Sequence, residues 1–229
     1  MGSPLRSTNY DVPGLPEINP MMSLHGEESI DFVRPLRVDQ EYEINDKIVD
    51  IQDKGKGAAI IINSRISHKA TGDLHANVRT TLFVRGLTGF GHKGTIHNKF
   101  PKIPTREHDF IAETWTDPNQ AFLYRLSGDD NPLHVDPDMS SLGGFKRPIL
   151  HGLCSFGFTT RVLQQHFFKD DVNLMENASV RLTSPVFPGE TLVVKAWKED
   201  NFIIYETSTK ERGKVALRGY LRLRQGAKL

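Results

Sequence analysis

The pattern of apolar and polar positions predicts two groups of β-strands with helices between them. Strands of the first group are predicted over residues 29–33, 42–51, 58–66 and 78–84. Strands of the second group are predicted over residues 179–182, 191–197, 202–207 and 215–223. In each group a short strand runs into a proline, Pro35 or Pro185, and a meander of long antiparallel strands follows. This repeated order indicates a duplicated unit.

Between the two groups the apolar spacing changes to that of helices. Three helices are predicted, from Asp117 to Gly128, from Asp136 to Gly143 and over residues 152–168. Asp117 is assigned as the cap of the first helix and Asp136 as the cap of the second, because a proline follows each of them. The third helix is apolar on most faces, and Cys154 lies within its apolar stripe. A long apolar helix before a four-stranded meander predicts an α+β fold in which a sheet wraps around a central helix.

Length, charge and cysteine content narrow the class of protein. The 229 residues can bury a sizeable core in one large domain or two small ones. Lys and Arg total 29 against 28 Asp and Glu, which gives no reason to expect nucleic acid as a partner. The single cysteine excludes an intrachain disulfide and favours a reducing compartment. No apolar run reaches the roughly 20 residues of a membrane span, and the N-terminus lacks the apolar core of a signal peptide.

The candidate chemistry is concentrated in the loop after the first predicted helix. Asp129, Asn131 and His134 follow one another there, and Gly152 opens the third predicted helix a short way on. An acid, a base, an amide and a backbone N–H donor are the groups required for acid–base chemistry such as adding water to a polarised double bond. Gly, Asp, Asn and Pro are also common turn residues, so a plain polar turn is the alternative. Gly152 could likewise serve close packing alone.

Other patterns carry less chemistry. Residues 89–94 match G-x-G-x-x-G, but two prolines and no helical period follow, so a dinucleotide site is rejected. Lys54 lies in a glycine-rich turn that is either a simple hairpin or a contact for a phosphate group. The nine histidines are scattered, and no metal site is predicted. The last three residues, Ala227, Lys228 and Leu229, are a close variant of the Ser-Lys-Leu peroxisomal address.

Several of these segments resemble one enzyme family. They are residues 124–134, 136–137, 144–145, 148–154, 185–192, 197–199 and 24–27. Together they are similar to the (R)-specific 2-enoyl-CoA hydratases, the MaoC-like hydratase 2 enzymes, which occur alone or within peroxisomal multifunctional β-oxidation enzymes. The resemblance extends over most of the chain and rests on a long, specific core motif.

The resemblance implies a double hot-dog fold, usually a homodimer, in which two repeats of antiparallel sheet each wrap around a helix. The first repeat is expected to be shortened and to lack its central helix. The predicted organisation is an extended tail over residues 1–15, a first repeat over 16–96, a linker over 97–115, a second repeat over 116–225 and a targeting tail over 226–229. The implied location is the peroxisome, reached through an import receptor that binds the C-terminal tripeptide.

The implied reaction is reversible syn hydration of a trans-2-enoyl-CoA to a (3R)-3-hydroxyacyl-CoA. Asp129 and His134 are the implied catalytic pair, Asn131 positions the water, and the Gly152 N–H polarises the thioester carbonyl. Further residues are implied to border the acyl and coenzyme A site: His25, Gly26, Lys54, Asp130, Pro132, Leu133 and Leu182. No metal or redox cofactor is expected, since coenzyme A enters only as the carrier of the substrate.

The chain departs from the family at Asp130, where an aromatic residue is usual, and in its shortened first repeat. The shortened repeat motivates the first of three alternatives that stay open. One is a non-catalytic acyl-CoA-binding module, the second is a dehydratase acting on acyl-carrier-protein thioesters, and the third is a hot-dog thioesterase.

Overall fold

The computed structural model describes residue 18, residues 22–169 and residues 171–224. The strands of the first group are β1 Ser23–Phe32, β2 Tyr42–Asp53, β3 Gly57–His68 and β4 Leu74–Arg85. Those of the second group are β5 Phe110–Trp115, β6 Met175–Leu182, β7 Thr191–Glu199, β8 Phe202–Thr209 and β9 Val215–Leu223. The helices are α1 Gln120–Arg125, α2 Pro137–Leu142 and α3 Gly152–Leu163. A π-helical turn, Gln164–Phe168, extends α3, and 3-10 turns form at Pro132–His134 and Val172–Leu174.

The nine strands form one antiparallel sheet in the order β2-β3-β4-β1-β6-β9-β8-β7-β5. The two groups of strands join where β1 pairs with β6. At this junction the Ser29 hydroxyl lies 2.7 Å from the Ser179 hydroxyl. The sheet is therefore continuous across the repeat boundary, and residues from both groups line the same face.

The main apolar core lies between α3 and the second group of strands. Its buried members include Leu163 and Phe168 from the helical segment and Leu192, Tyr205 and Leu221 from the strands. Among its described residues, the first group has a smaller buried cluster, formed by Ile60, Ile62, Leu82 and Val84. Among the described residues no helix lies between β1 and β4. The expectation that the first repeat lacks its central helix stays a prediction, because most of the segment before β1, which corresponds to α3 before β6, lies outside the described residues. None of the described helices is long and apolar enough to cross a membrane.

Most predicted elements are confirmed. The predicted strand over residues 215–223 has the same bounds as β9, and the others are longer than predicted by a few residues. The long helix begins at Gly152, as predicted. Asp136 caps α2, because its side chain accepts hydrogen bonds from the backbone N–H groups of Asp138 and Met139.

Two details of the prediction are wrong. Helix α1 begins only at Gln120, and Asp117 does not cap it: the Asp117 carboxylate accepts from the Asn119 N–H, 2.7 Å away, and so orders the preceding turn. Strand β5 lies inside the segment predicted to be a linker and pairs with β7. It is a short edge strand in which Ile111 and Trp115 remain exposed, so its sequence lacks a clear buried face.

Candidate active site

A cavity of about 810 Å³ opens between the two groups of strands. Its apolar wall combines Ile60, Leu82 and Val84 of the first group with residues of the second group such as Leu150 and Leu217. Nine of the residues predicted to form the site line this cavity: His25, Asp129, Asp130, Asn131, Pro132, Leu133, His134, Gly152 and Leu182. The predicted catalytic groups thus share one mostly apolar space.

The loop that carries Asp129 is held by its own side chains. The Asn131 side-chain oxygen accepts a hydrogen bond from the Leu133 N–H at 3.0 Å and caps the turn Pro132–His134. The Asp129 carboxylate accepts from the Asn131 N–H at 3.3 Å. Because these bonds set the turn, the Asp129 carboxylate, the Asn131 amide and the His134 ring are presented together.

The His134 ring has a defined tautomer. Its Nδ1 lies 2.8 Å from the Ile149 carbonyl oxygen, which can only accept, so Nδ1 carries the proton and Nε2 keeps its lone pair. Burial lowers the pKa of His134 below its ordinary value of 6.5, against the opposing effects of the Ile149 carbonyl and Asp129. A neutral imidazole with a free Nε2 lone pair is suited to accept a proton from water.

His151 is a site residue that the sequence interpretation missed. Its ring stacks on His134 with centroids 3.7 Å apart and planes 30° apart. Its Nε2 lies 3.3 Å from the Asp129 carbonyl oxygen. The only signal in the sequence was a histidine at a helix start, where Ser, Thr, Asp or Asn usually stands.

Gly152 brings the start of α3 against the cavity wall. A Cβ at this position would overlap Leu182 Cδ1. The distance between the two atoms would be less than 3.0 Å, a separation that Cβ atoms in proteins essentially never show. Only glycine therefore fits without movement, so the close-packing explanation of this residue holds. The backbone N–H of Gly152 is also one of the free donors of a helix start, where the helix dipole favours negative charge.

A second cavity of about 450 Å³ adjoins the first and shares Leu24, His25 and Leu182 with it. The remaining two predicted binding residues, Gly26 and Lys54, line this cavity. It is more polar and also includes Arg181, a basic residue that the sequence interpretation did not single out. The predicted binding residues therefore fall on two adjoining spaces, one apolar and one partly basic.

The glycine-rich segment after β4 holds the turn that carries Lys54. The Asp53 carboxylate accepts hydrogen bonds from the N–H groups of Gly55, Gly89 and Gly91 and from the Thr88 hydroxyl. The bonds from Gly91, Gly55 and Thr88 are the main causes that hold the pKa of Asp53 well below its ordinary value. Gly89 and Gly91 have φ values of 93° and 75°, which permit this wrapping. The segment surrounds a carboxylate of the protein itself, in keeping with the rejection of a dinucleotide site.

In the described part of the chain, one group of side chains could hold a metal ion, and it consists of Asp129, His134 and His151. Their potential ligand atoms lie within 4.8 Å of one another. The His134 Nδ1 and the His151 Nε2 each face a backbone carbonyl oxygen, which can only accept, so both nitrogens carry protons and are not available as metal ligands. The geometry fits acid–base chemistry better than metal ligation. The prediction that no metal is needed stays a prediction.

The fold is that of a hot-dog protein, and the loop with Asp129, Asn131 and His134 lines its mostly apolar cavity. Two family models match the chain: the MFE-2 hydratase 2 N-terminal domain over residues 4–86 and the MaoC like domain over residues 99–219. The chain belongs to the MaoC-like hydratase 2 family, as the sequence motifs predicted.

Relatives and a solved structure agree with this assignment. The chain is 40% identical to the "Enoyl-CoA hydratase 2, peroxisomal" of Arabidopsis thaliana, over 93% of this chain and 72% of the plant protein. It is 41% identical to the "Peroxisomal multifunctional enzyme type 2" of Mus musculus, over 90% of this chain but only 28% of the mouse protein. The crystal structure of a MaoC-like dehydratase from Phytophthora capsici superposes with a TM-score of 0.86 at 39% identity, over 93% of this chain and 75% of that one. The predicted hot-dog fold is therefore confirmed.

Proposed function

We propose that this protein is a hydro-lyase that reversibly adds water, in the syn sense, to trans-2-enoyl-CoA and forms (3R)-3-hydroxyacyl-CoA in peroxisomal fatty-acid β-oxidation. The observation that carries the proposal is the cavity in which Asp129, His134 and Gly152 meet, in a chain about 40% identical over most of its length to proteins named enoyl-CoA hydratase 2. The same relatives support the peroxisome as its location, because their names include that compartment.

In the proposed reaction, the loop supplies the groups that transfer protons, and the helix start supplies a hydrogen-bond donor. Asp129 and His134 orient one water molecule, take a proton from it as its oxygen bonds to C3, and deliver a proton to C2. The amide of Asn131, whose oxygen already caps the turn, offers its N–H groups to that water. The Gly152 N–H stabilises the negative charge that develops on the thioester oxygen. Charge at C2 is carried by the thioester, so no metal or redox cofactor enters this scheme.

The two adjoining cavities suit the two ends of the substrate. The larger, apolar cavity accommodates the acyl chain, and Lys54 in the smaller cavity attracts a phosphate of coenzyme A. A carrier arm that connects the two passes Leu24, His25 and Leu182, which border both spaces. This arrangement would put the thioester near Gly152.

Two partners belong to the proposal as well. A homodimer is supported by the exposed apolar side chains of Phe122 and Leu123 on α1 and of Leu126 just after it. An import receptor is proposed to bind Ala227, Lys228 and Leu229, which lie outside the described residues.

The test is to compare the wild-type protein with Asp129→Ala and His134→Ala. Each variant is expected to lose about 10²-fold to 10⁴-fold in kcat for trans-2-decenoyl-CoA, followed by loss of the enoyl thioester absorbance. Circular dichroism and thermal unfolding show whether the fold is kept. Turnover close to wild type in either folded variant would refute the assignment. Tight binding of acyl-CoA without turnover by the wild-type protein would favour the non-catalytic module instead.

A further inference from the structure

His151 is held in the middle of the site by contacts on three sides. One face of its ring stacks on His134, and Tyr124 packs against it with ring centroids 4.7 Å apart. Its Nε2 lies 3.3 Å from the Asp129 carbonyl oxygen. The residue is only 2% exposed. A single side chain therefore contacts the backbone of one proposed catalytic residue and the ring of the other.

The protonation state of this ring follows from its partners. A carbonyl oxygen can only accept a hydrogen bond, so Nε2 must carry the proton, and in the neutral ring Nδ1 is then a bare acceptor. Nδ1 is fully buried and has no hydrogen-bond partner among the described residues. Burial, followed by the neighbouring His134, lowers the pKa of His151 to about 3, and Arg125 acts in the same direction. The titratable or charged residues that face the ring are thus His134, Asp129, Arg125 and Tyr124, whose ring packs against it.

A buried acceptor without a partner costs stability, and a phenyl ring of similar size would avoid that cost. His151 also occupies the cap position of α3 without making a side-chain cap hydrogen bond. Neither helix capping nor core packing explains why a histidine stands here. The bond from Nε2 to the catalytic loop does explain it.

We propose that His151 is a positioning residue for the hydration reaction: its neutral imidazole donates to the Asp129 carbonyl and stacks on His134, and so fixes the relative placement of the two catalytic side chains. This inference rests on the proposed function. The short segment from Ile149 to Gly152 then sets all three parts of the site. The Ile149 carbonyl orients His134, the His151 ring holds the Asp129 loop, and Gly152 supplies the N–H donor.

The experiment compares two substitutions with different remaining groups. His151→Phe keeps the stacked ring but loses the donor, whereas His151→Gln places an amide N–H near the former Nε2 and loses the ring. His151→Phe is expected to lower kcat about 10-fold to 100-fold with little change in KM, because displacement of a catalytic group by about 1 Å has an effect of that size. His151→Gln is expected to recover part of the loss. The melting temperature of His151→Phe is expected to be equal to or above that of the wild type, because an unpaired acceptor is removed.

The matched control is His166→Phe, since His166 also stacks on an aromatic ring, that of Phe110 at 4.0 Å, but lines neither site cavity. This variant is expected to keep wild-type kcat. Wild-type kcat in His151→Phe would overturn the proposal. So would equal losses in the Phe and Gln variants together with a lowered melting temperature, which would indicate a merely structural role.

A measurement on the wild-type protein separates this proposal from the proposed function. In ¹⁵N-histidine-labelled protein, the resonances of His151 are assigned as those that disappear in His151→Phe. Their chemical shifts are expected to show that Nε2 carries the proton. They are also expected to stay constant between about pH 5 and 8, because the ring does not titrate there. An Nδ1–H tautomer, or titration in that range, would overturn the positioning role even if the protein hydrates enoyl-CoA. Absence of hydration by the wild type would refute the proposed function, while the tautomer would still test the contact itself.

Discussion

Gly152→Ala is the substitution whose consequence can be derived most directly from the structure. The added methyl group would overlap Leu182 Cδ1, and the Cδ2 and Cγ atoms of that side chain would be 3.3 and 3.4 Å away. To restore ordinary contact, either the start of α3 or the Leu182 side chain must move by about 1 Å. Movement of the helix start displaces the proposed N–H donor, whereas rotation of Leu182 fills space in the cavities that it lines.

Both responses reduce catalysis. Displacement of the donor is expected to lower kcat about 100-fold, and intrusion of Leu182 into the cavity is expected to raise KM. The assay is steady-state hydration of trans-2-decenoyl-CoA, with kcat and KM reported separately. Removal of the obstructing side chain in Gly152→Ala/Leu182→Ala is expected to restore part of the lost kcat, because the methyl group then has room.

The same helix offers a matched control. Gly157 is exposed, and an added Cβ there meets nothing within 4 Å. Gly157→Ala is expected to stabilise the protein by about 1 kcal/mol through helix propensity, with unchanged kcat. Wild-type kcat/KM in Gly152→Ala, or an equal loss in Gly157→Ala, would refute the role given to the helix start.

Three further predictions follow from the electrostatics of the site. First, the acid limb of the pH dependence of kcat/KM is expected below the ordinary histidine pKa of 6.5, because the reaction needs neutral His134 and burial lowers its pKa; the pH–rate profile measures it. Second, the free energy of unfolding is expected to fall as the pH drops below about 6.5. His134 and His151 have lowered pKa values in the folded state, so the unfolded state binds more protons there; urea titrations between about pH 4 and 8 measure it. Third, Lys54→Ala is expected to raise KM for enoyl-CoA with little effect on kcat, and the increase in KM is expected to be smaller at high salt. Lys56→Ala is the control, because Lys56 lines neither cavity.

Each of these predictions can fail in a specific way. An acid limb above the ordinary histidine pKa would contradict a buried neutral base. Stability that is constant or rises on acidification would contradict two histidines buried without charge. Equal KM values for the Lys54 and Lys56 variants would remove Lys54 from the phosphate site.

Local sequence was sufficient for most elements of the fold. Helix α3 was predictable because its apolar stripe is long and unbroken, and the cap of α2 because Asp136 and Pro137 stand next to each other. Strand β5 was not predictable, because its six residues leave Ile111 and Trp115 exposed and its strand partner, β7, lies some eighty residues away. Propensity over six residues is a weak signal when tertiary pairing decides the outcome.

The candidate site was likewise predictable from the local sequence only in part. Asp129, Asn131 and His134 lie within one short loop, so their proximity follows from sequence spacing and turn chemistry. The contribution of His151 depends on a ring stack and on one bond across more than twenty residues, which no local pattern encodes. The close fit of Gly152 against Leu182 likewise depends on how α3 meets the end of β6.

The stereochemistry of the product tests the central claim most directly. The wild-type protein is incubated with trans-2-decenoyl-CoA, and the product is divided between an (R)-specific and an (S)-specific 3-hydroxyacyl-CoA dehydrogenase. Loss of enoyl absorbance with NADH formed only by the (R)-specific enzyme is the predicted result. An (S) product, a racemic product, or release of free coenzyme A without a hydroxyacyl product would contradict the account.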